Sequence, residues 1–309
     1  MNYTLHQLRI FLKVVQARSI TKAAEELHLT QPAVSIQLKN FQRQFDLPLI
    51  EVINKRLFVT EFGHEIAQSA DRILTEAHAI NYKMHAHSGQ LTGRLSISSV
   101  STGKYVAPYF ITDFMKQNPG VELVLDVTNK AQVVASLERN EVDFALVSVL
   151  PDTLNFDKVE LMQNKLFVVG NHDQKFSRRE LDRKTLESLP LIYREQGSGT
   201  RHVMELYLRK SKLAVLKKME LTSNEAVKQA VIAGLGYSIM PLIGIRNELL
   251  NKQLQIIPFK GFPILSTWYF IWLKEKKLSP VASAFLNHIR KEKQHIIRDR
   301  FDWFEKYGY

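Results

Sequence analysis

The sequence predicts an α/β protein that carries a small all-α domain at its N-terminus. Three observations lead to this fold class. Residues 1–60 contain short helical patterns followed by a candidate hairpin, residues 62–88 contain one long helical pattern, and from Gly93 onward strand-like and helix-like segments alternate. Since globular domains hold roughly 100–200 residues, a chain of 309 residues fits two or three of them. We expect domains at 1–61, 62–90 and 91–309.

Composition indicates a globular protein with an excess of positive charge. Hydrophobic residues make up 45% of the chain and charged residues 24%, which suffices for buried cores throughout. The net charge of +11 favours nucleic acid, acidic membranes or acidic proteins as partners, although many basic proteins bind none of these. Because cysteine is absent, disulfides, thiolate metal sites and thiol chemistry are excluded. We find no signal peptide and no apolar run of about 18 residues, and we therefore expect a cytoplasmic location.

Helical spacing predicts three short helices in the first domain. The first helix follows from apolar residues at Leu5, Leu8, Phe11, Leu12 and Val15. A second helix fits residues 21–27. Thr30 is a good N-cap for a third helix, and Pro32 lies in its first turn, where a missing N–H does little harm.

The third helix has an apolar face and a polar face. The apolar face consists of Val34, Leu38, Phe41 and Phe45. The polar face consists of Gln31, Ser35, Lys39 and Gln42. This pattern fits any small amphipathic helix, but it also fits a helix that reads DNA, because Gln and Ser bind base edges while Lys39 and Arg43 reach phosphates. Residues 54–56 form a candidate turn between two apolar runs, with Arg56 able to enter a minor groove.

A combination of positions across the first 65 residues resembles one family. The positions are Leu8–Phe11, Ser19, Ala23, Ala24, Leu27, Gln31–Ser35, Leu38, Pro48, Leu49, Thr60 and Gly63. Together they resemble the winged helix-turn-helix of LysR-type transcriptional regulators. The chain departs from the family pattern at Val52 and Phe58, where arginine is common.

The resemblance implies a protein that binds double-stranded promoter DNA. Gln31 and Ser35 would lie near bases, while Arg56 would serve the wing. The implied DNA-binding set is Arg18, Thr30, Gln31, Pro32, Ser35, Lys39, Arg43 and Arg56. The family also assembles as homodimers and homotetramers, and a contact with RNA polymerase is possible.

The long helical pattern predicts a two-stranded coiled coil. Its apolar residues step by four and three along the chain, at Ile66, Ala70, Ile73, Ala77, Ile80 and Met84. The alternative is a single amphipathic helix that packs on its own domain. A dimer would present two recognition helices to two half-sites. We interpret His78, His85 and His87 near the end of this helix as solvated rather than as metal ligands, and we expect no metal or cofactor.

The alternation after Gly93 predicts a parallel sheet with helices on its faces. Strands are expected at 93–98, 121–127 and 143–149, and helices at 103–118 and 132–140. In such sheets, ligands bind beyond the carboxyl ends of the strands. Hydroxyl-rich segments at 98–102 and 197–201 precede helices and fit a small anion or carboxylate; the alternative is that these residues serve only as helix caps. Arg201 offers a bidentate cation, or simply pairs with an acidic surface residue. At 222–224, Thr222 and Ser223 are expected to line the cleft and Asn224 to cap the helix.

The family's sensing domain resembles periplasmic binding proteins, with two α/β subdomains that close on a small molecule. We expect subdomain one at 91–163 and 268–296 and subdomain two at 164–267, joined by strands that cross near 162–167 and 264–270. The implied effector-binding set is Ser99, Ser101, Thr102, Ser148, Gly197, Ser198, Gly199, Thr200, Arg201, Thr222 and Ser223. The segment 194–201 resembles regulators of carbon fixation and of sulfur or nitrogen assimilation, whose effectors are often anionic. We therefore expect a small, anionic co-inducer of unknown identity.

Two other function classes are weaker. An enzyme is disfavoured because the chain has no GxSxG elbow, P-loop, HExxH or Rossmann glycine fingerprint. A solute-binding protein is disfavoured because we find no signal peptide. The aromatic tail at 297–309 either packs on the domain, forms an oligomer contact or is a flexible end.

Overall fold

The chain forms two compact units, Met1–Gln90 and Leu91–Tyr309. The computed structural model describes residues 2–53, 56–86, 90–176 and 181–307, without the side chains of residues 75, 78–86 and 183. Within these ranges no helix has both the length and the apolar character needed to cross a bilayer. No group of three or more potential metal ligands comes together among them either. The side chains of His78, His85 and His87 lie outside the described residues.

The first unit begins with three short helices: α1 (Leu5–Ala17), α2 (Ile20–Leu27) and α3 (Gln31–Gln42). The first two helices end on left-handed residues, Arg18 at φ 49° and His28 at φ 54°, which turn the chain tightly into the next helix. The helices enclose a core that includes Phe11, Val34 and Phe41. Thr30 occupies the N-cap position of α3 as predicted, but its side chain makes no capping hydrogen bond.

A hairpin and a long helix complete this unit. The hairpin pairs β1 (Ile50–Ile53) with β2 (Arg56–Val59), and α4 (Glu61–Ala86) follows. Thr60 joins the two, because its hydroxyl donates to the Pro48 carbonyl at 2.7 Å and accepts the Gly63 N–H at 2.9 Å. A Cβ at Gly63 would lie 2.0 Å from the Leu49 carbonyl oxygen, so the close approach of helix and hairpin requires glycine there.

The predicted seam of α4 is only partly open to a second chain. Ala70 is buried in the core of its own unit, and Ile66 packs against the same core. The first turns of α4 pack on α1. The prediction that Ala70 lies in a seam between two chains is therefore wrong. Ile73 is 42% exposed and Ala77 is half-buried, whereas the side chain of Ile80 lies outside the described residues.

The second unit starts with a parallel sheet. Strand β3 (Thr92–Val100) pairs in parallel with both β4 (Gly120–Thr128) and β5 (Phe144–Val147). Helices α5 (Ala107–Gln117) and α6 (Lys130–Glu138) connect these strands. The single helix predicted at 103–118 is instead a 3₁₀ turn over Ser101–Tyr105 followed by α5, with Pro108 in the first turn of α5.

Two long antiparallel strands cross the middle of this unit. They are β6 (Phe156–Asn171) and β11 (Ile264–Leu273), and their register shifts between Thr267 and Tyr269. The remaining strands are β7 (Leu191–Arg194), β8 (Lys217–Leu221), β9 (Ser238–Pro241) and β10 (Leu254–Ile256). The remaining helices before the C-terminus are α7 (Arg183–Glu187), α8 (Gly199–Lys210), α9 (Asn224–Ile232) and α10 (Arg246–Leu250). Strands β9 and β10 pair with the second half of β6, and β7 pairs in parallel with β8.

The aromatic tail is part of a long C-terminal helix, α11 (Pro280–Glu305). The expected subdomain boundary at 296 therefore falls inside a continuous helix. Phe301 and Phe304 are buried, and Phe301 stacks on Phe110 of α5 with ring centroids 5.9 Å apart. Arg246 of α10 lies over the Trp303 ring at 4.5 Å. Of the three alternatives left open for the tail, the described residues show packing on the domain.

Candidate functional site

Helix α3 presents a polar and basic outer face. Gln31, Lys39 and Arg43 are exposed, as predicted for residues that would meet DNA, whereas Ser35 is half-buried. On the opposite side, Val34, Leu38 and Phe41 are buried. Together these exposures orient the helix within the first unit.

Arg18 and Arg56 line one surface groove. The groove has a volume of about 510 Å³ and lies between the start of α2 and the hairpin. Its other walls are Ser19, Ile20, Thr21, Val52, Leu57 and Phe58. Arg18 and Arg56 are 38 residues apart in sequence, and both were predicted to bind DNA. The structure brings them together in this groove. Val52 and Phe58 are 65% and 49% exposed, so the wing presents apolar surface where the family often carries arginine.

The second unit contains a buried arginine at the end of β7. The Arg194 guanidinium donates from Nε and Nη2 to the Glu195 carboxylate, at 2.8 and 2.9 Å. It also donates from Nη1 to Asn224 Oδ1 and from Nη2 to Ser101 Oγ, the latter at 3.3 Å. Asn224 Nδ2 donates to the same hydroxyl at 3.4 Å. We call these four residues the Arg194 cluster; it ties the end of β7 to the start of α9 and to the 3₁₀ turn after β3.

Four of the predicted hydroxyl residues are buried in the same unit: Ser99, Thr102, Ser148 and Ser198. Ser99 donates to the Val100 carbonyl at 3.2 Å, and a Cβ at Gly103 would lie 2.1 Å from Ser99 Oγ. The space around Ser99 is therefore tightly filled. Ser148 lies close to the first residue of α8, since its Oγ would be 3.8 Å from a Cβ at Gly199.

The start of α8 touches the start of α6. The Gly197 carbonyl accepts the Ala131 N–H at 3.2 Å, and Gly197 adopts φ +84°, which favours glycine. Ser198 is buried and caps α8 by accepting the Arg201 N–H at 3.5 Å. Thr200 is half-buried in the first turn. The predicted glycine-rich segment is thus a helix start held against a second helix start.

Arg201 is engaged by acidic residues of its own unit. It donates from Nε to Glu205 at 2.7 Å and from Nη1 to Glu220 at 2.8 Å, and a further bond joins Nη1 to the Arg194 carbonyl at 3.1 Å. Hydrogen bonds from Lys217 and then from Arg201 hold the pKa of Glu220 below its ordinary value. The sequence left two roles open for Arg201, a cation that binds the effector or a partner of acidic side chains. In this structure Arg201 pairs with acidic side chains.

A cavity of about 570 Å³ adjoins the starts of α6 and α8. Its charged and polar lining is Lys130, Asp152, Thr153, Gln196, Arg201, His202 and Glu205. Burial lowers the pKa of Lys130, and the nearby Asp152 opposes this shift. Gly197 and Arg201 of the predicted effector set line this cavity. The Arg194 cluster and the buried hydroxyls lie outside its lining.

The helix cap expected of Asn224 is made by Ser223 instead. Thr222 and Ser223 are exposed, and Ser223 caps α9 by accepting the Ala226 N–H at 3.0 Å. Asn224 is buried and belongs to the Arg194 cluster. Arg194 and Glu195 were not predicted as site residues from the sequence. The one feature that could have indicated them is their position between a strand and the glycine-rich segment.

Two family models account for most of the chain. The first, "Bacterial regulatory helix-turn-helix protein, lysR family", matches residues 5–64. The second, "LysR substrate binding domain", matches residues 88–294. The chain belongs to the LysR family. The family resemblance noted in the first 65 residues is thereby confirmed and extends over the sensing unit.

Relatives similar over nearly the whole chain are named transcriptional regulators, and some are named for the RuBisCO operon. The HTH-type transcriptional activator CmpR of Synechocystis sp. is 34% identical, over 93% of this chain and 95% of the relative. A RuBisCO operon transcriptional regulator of Allochromatium vinosum is 36% identical, over 94% of this chain and 97% of the relative. The resemblance to the carbon-fixation branch is confirmed, and these relatives are named as regulators rather than enzymes.

Solved LysR-type structures share the fold. The regulatory domain of Synechocystis PCC6803 CcmR, in complex with 2-PG, is 31% identical with a TM-score of 0.62, covering 64% of this chain and 96% of that domain. Full-length CbnR complexed with its target DNA is 22% identical with a TM-score of 0.63, covering 93% of this chain and 99% of CbnR. The predicted fold class, a winged helix-turn-helix followed by an α/β sensing domain, is confirmed.

Proposed function

We propose that this LysR-type transcriptional regulator binds promoter DNA through α3 and the hairpin and responds to a small anionic metabolite held near the Arg194 cluster. It acts as a homodimer or homotetramer, with α4 as one contact between copies. Contact with RNA polymerase stays a prediction. The fold, the family and the named relatives support the regulatory role.

On the DNA side, Gln31 and Ser35 meet base edges, and Pro32 lies beside them. Phosphates are contacted by Arg18, Thr30, Lys39 and Arg43, and Arg56 serves the wing. The exposure of Gln31, Lys39 and Arg43, together with the groove shared by Arg18 and Arg56, supports these assignments. Phosphate contacts fix the position of the protein and base contacts supply specificity.

On the effector side, one observation carries the proposal: the buried Arg194 guanidinium lies beside the start of α9 and a serine hydroxyl. A carboxylate or phosphate group is bound well by guanidinium N–H groups and by helix N-termini. Because Glu195 already accepts from Nε and Nη2 of Arg194, such a group would bind on the Nη1 side of the guanidinium. The 2-PG bound by the CcmR regulatory domain is a small anion of this kind, which supports a similar effector here. The cavity beside α6 and α8 is lined in part by Arg201, whose Nη1 donates to the Arg194 carbonyl.

The test is a calorimetric titration of the full-length protein with a panel of small phosphorylated and dicarboxylic acids, beginning with 2-phosphoglycolate. One compound is expected to bind. Arg194→Gln should weaken that binding by about tenfold or more, since a charge-assisted hydrogen bond is lost. Ser101→Ala should weaken it less. Arg209→Gln, on an exposed position of α8, serves as the control.

Thermal denaturation without ligand checks that each variant folds. If a folded Arg194→Gln protein binds the same compound as tightly as the unaltered protein does, the assignment of the effector to the Arg194 cluster is wrong. If none of the anions binds, the expected effector class is wrong.

A further inference from the structure

The most outward side chain of α3 is apolar. Successive residues of a helix are separated by about 100° around its axis, so the buried Val34, Leu38 and Phe41 define the inward direction. Ile36 points away from all three and is 58% exposed. The polar residues predicted to read bases, Gln31 and Ser35, lie toward one flank of the helix, and Ser35 is half-buried there.

The surroundings of Ile36 are basic. Pro32 lies one turn before it, and Lys39 and Arg43 lie about one and two turns after it on the same face, all three exposed. Gln37 is held on the other flank, where its side-chain oxygen accepts a hydrogen bond from Gln7 Nε2 at 3.2 Å. Two cations on a face whose apolar side chains are Ile36 and Pro32 favour a polyanionic partner over an apolar protein surface.

The chemistry of the major groove limits what Ile36 can meet there. Guanine, adenine and cytosine present hydrogen-bonding atoms that isoleucine leaves unpaired. Thymine adds a C5 methyl group, the only apolar group that a base pair offers in that groove. Because burial of a methyl-sized group is worth about 0.8 kcal/mol, or roughly fourfold in affinity, such a contact discriminates between bases.

We propose that Ile36 packs on the C5 methyl group of a thymine in each half-site and selects that base. This inference rests on the proposed binding of DNA through α3. Ile36 is thus a specificity-determining residue in addition to Gln31 and Ser35. Its neighbours Lys39 and Arg43 supply affinity through phosphates, independently of sequence.

The experiment uses the full-length protein and the duplex that it selects from a library of random-sequence duplexes. Each thymine of that duplex is replaced in turn by deoxyuridine, which removes only the methyl group. For the unaltered protein we expect about a fourfold rise in Kd at one position of each half-site. Ile36→Ala should show no such rise at that position, and Ile36→Val, which keeps a branched apolar side chain, should retain part of it.

Leu250→Ala is the matched control, since Leu250 is an exposed aliphatic residue of the other unit, on α10. This variant should respond to deoxyuridine as the unaltered protein does. If the protein binds a selected duplex but no thymine shows a methyl dependence that Ile36→Ala removes, the proposal for Ile36 fails while DNA binding stands. If no duplex is selected at all, the proposed function itself fails.

Discussion

Lys165 is a buried lysine whose charge is met by backbone carbonyl groups. It lies on the crossing strand β6 and donates from Nζ to the carbonyls of Phe304, Glu305 and Tyr307, at 3.2, 2.8 and 3.0 Å. The last carbonyls of a helix lack intrahelical partners and carry partial negative charge. One lysine therefore satisfies the end of α11 and fixes the tail against β6.

Replacement of Lys165 by methionine should be strongly destabilising. The change keeps an unbranched side chain of similar length but leaves the carbonyl groups without this donor, at a cost of about 3 kcal/mol in the free energy of unfolding. Urea denaturation measures the loss. Lys306→Met is the control, because Lys306 is exposed and forms a surface pair with Asp302, so a change of about 0.5 kcal/mol or less is expected. Equal effects of the two variants would contradict the role of Lys165.

His288 is a second residue whose surroundings determine its chemistry. It packs on the Phe114 ring at 5.7 Å, and its Nε2 is buried without a hydrogen-bond partner in the described part of the chain. Burial lowers the pKa of His288 from its ordinary value of 6.5, and Lys291 adds to this effect, while Glu292 and Asp113 oppose it. The folded protein therefore holds this imidazole neutral more firmly than the unfolded chain does.

The sign of the pH dependence follows from this lowered pKa. Below about pH 6.5 the unfolded chain binds a proton that the folded protein resists, so stability falls as the pH falls through that value. His288→Gln should reduce the drop in Tm between about pH 7.5 and about pH 5.5. His295→Gln, at an exposed position of the same helix, should leave the drop nearly unchanged. An unchanged drop in His288→Gln would contradict this account.

At the scale of elements, the sequence predicted what local periodicity determines. The buried face of α3 follows directly from the spacing of Val34, Leu38 and Phe41, and the order of β3, α5, β4, α6 and β5 follows from the alternation of patterns. The Arg194 cluster had no local signal, because its contacts join residues 30 and 93 positions apart. Asn224 was assigned to capping because a polar residue at a helix start fits either role.

Helix α4 illustrates why a repeat pattern alone leaves two outcomes open. An apolar seam is buried equally well by a second chain or by the protein's own core, and along the described part of this helix only the second kind of burial is seen directly. Ala70 is covered by its own unit, while Ile73, one turn later, is 42% exposed. The dimer contact is therefore expected from Ile73 onward.

Ile73→Glu should weaken dimerisation without unfolding the first unit. A carboxylate in an apolar seam carries a desolvation cost, whereas an exposed position tolerates it in the monomer. Sedimentation velocity should show dissociation to monomers at protein concentrations where the unaltered protein is dimeric. Arg72→Glu introduces the same side chain on another, exposed face of α4 and should leave the assembly intact. Dimers of unchanged stability in Ile73→Glu would exclude this part of the helix as the interface.

At the scale of the whole molecule, the positive charge is unevenly divided. The unit Met1–Gln90 contains 10 Lys and Arg against 8 Asp and Glu, a net +2, so Leu91–Tyr309 contributes +9 of the total +11. Most of the basic excess thus lies in the sensing unit. The net charge that pointed to a polyanion in the sequence is therefore a poor guide to the DNA interface, which depends on a few placed cations.

The salt dependence of DNA binding separates these two sources of affinity. If affinity comes from local phosphate contacts, the slope of log K against log salt counts those contacts, and loss of one contact lowers it by about one for each protomer bound. Arg43→Gln should therefore flatten the slope measured between about 50 and 200 mM salt. Lys252→Gln, an exposed cation of the sensing unit, removes the same charge and should leave the slope unchanged. If both variants flatten the slope equally, affinity depends on the charge of the whole molecule, and phosphate binding is not specific to α3.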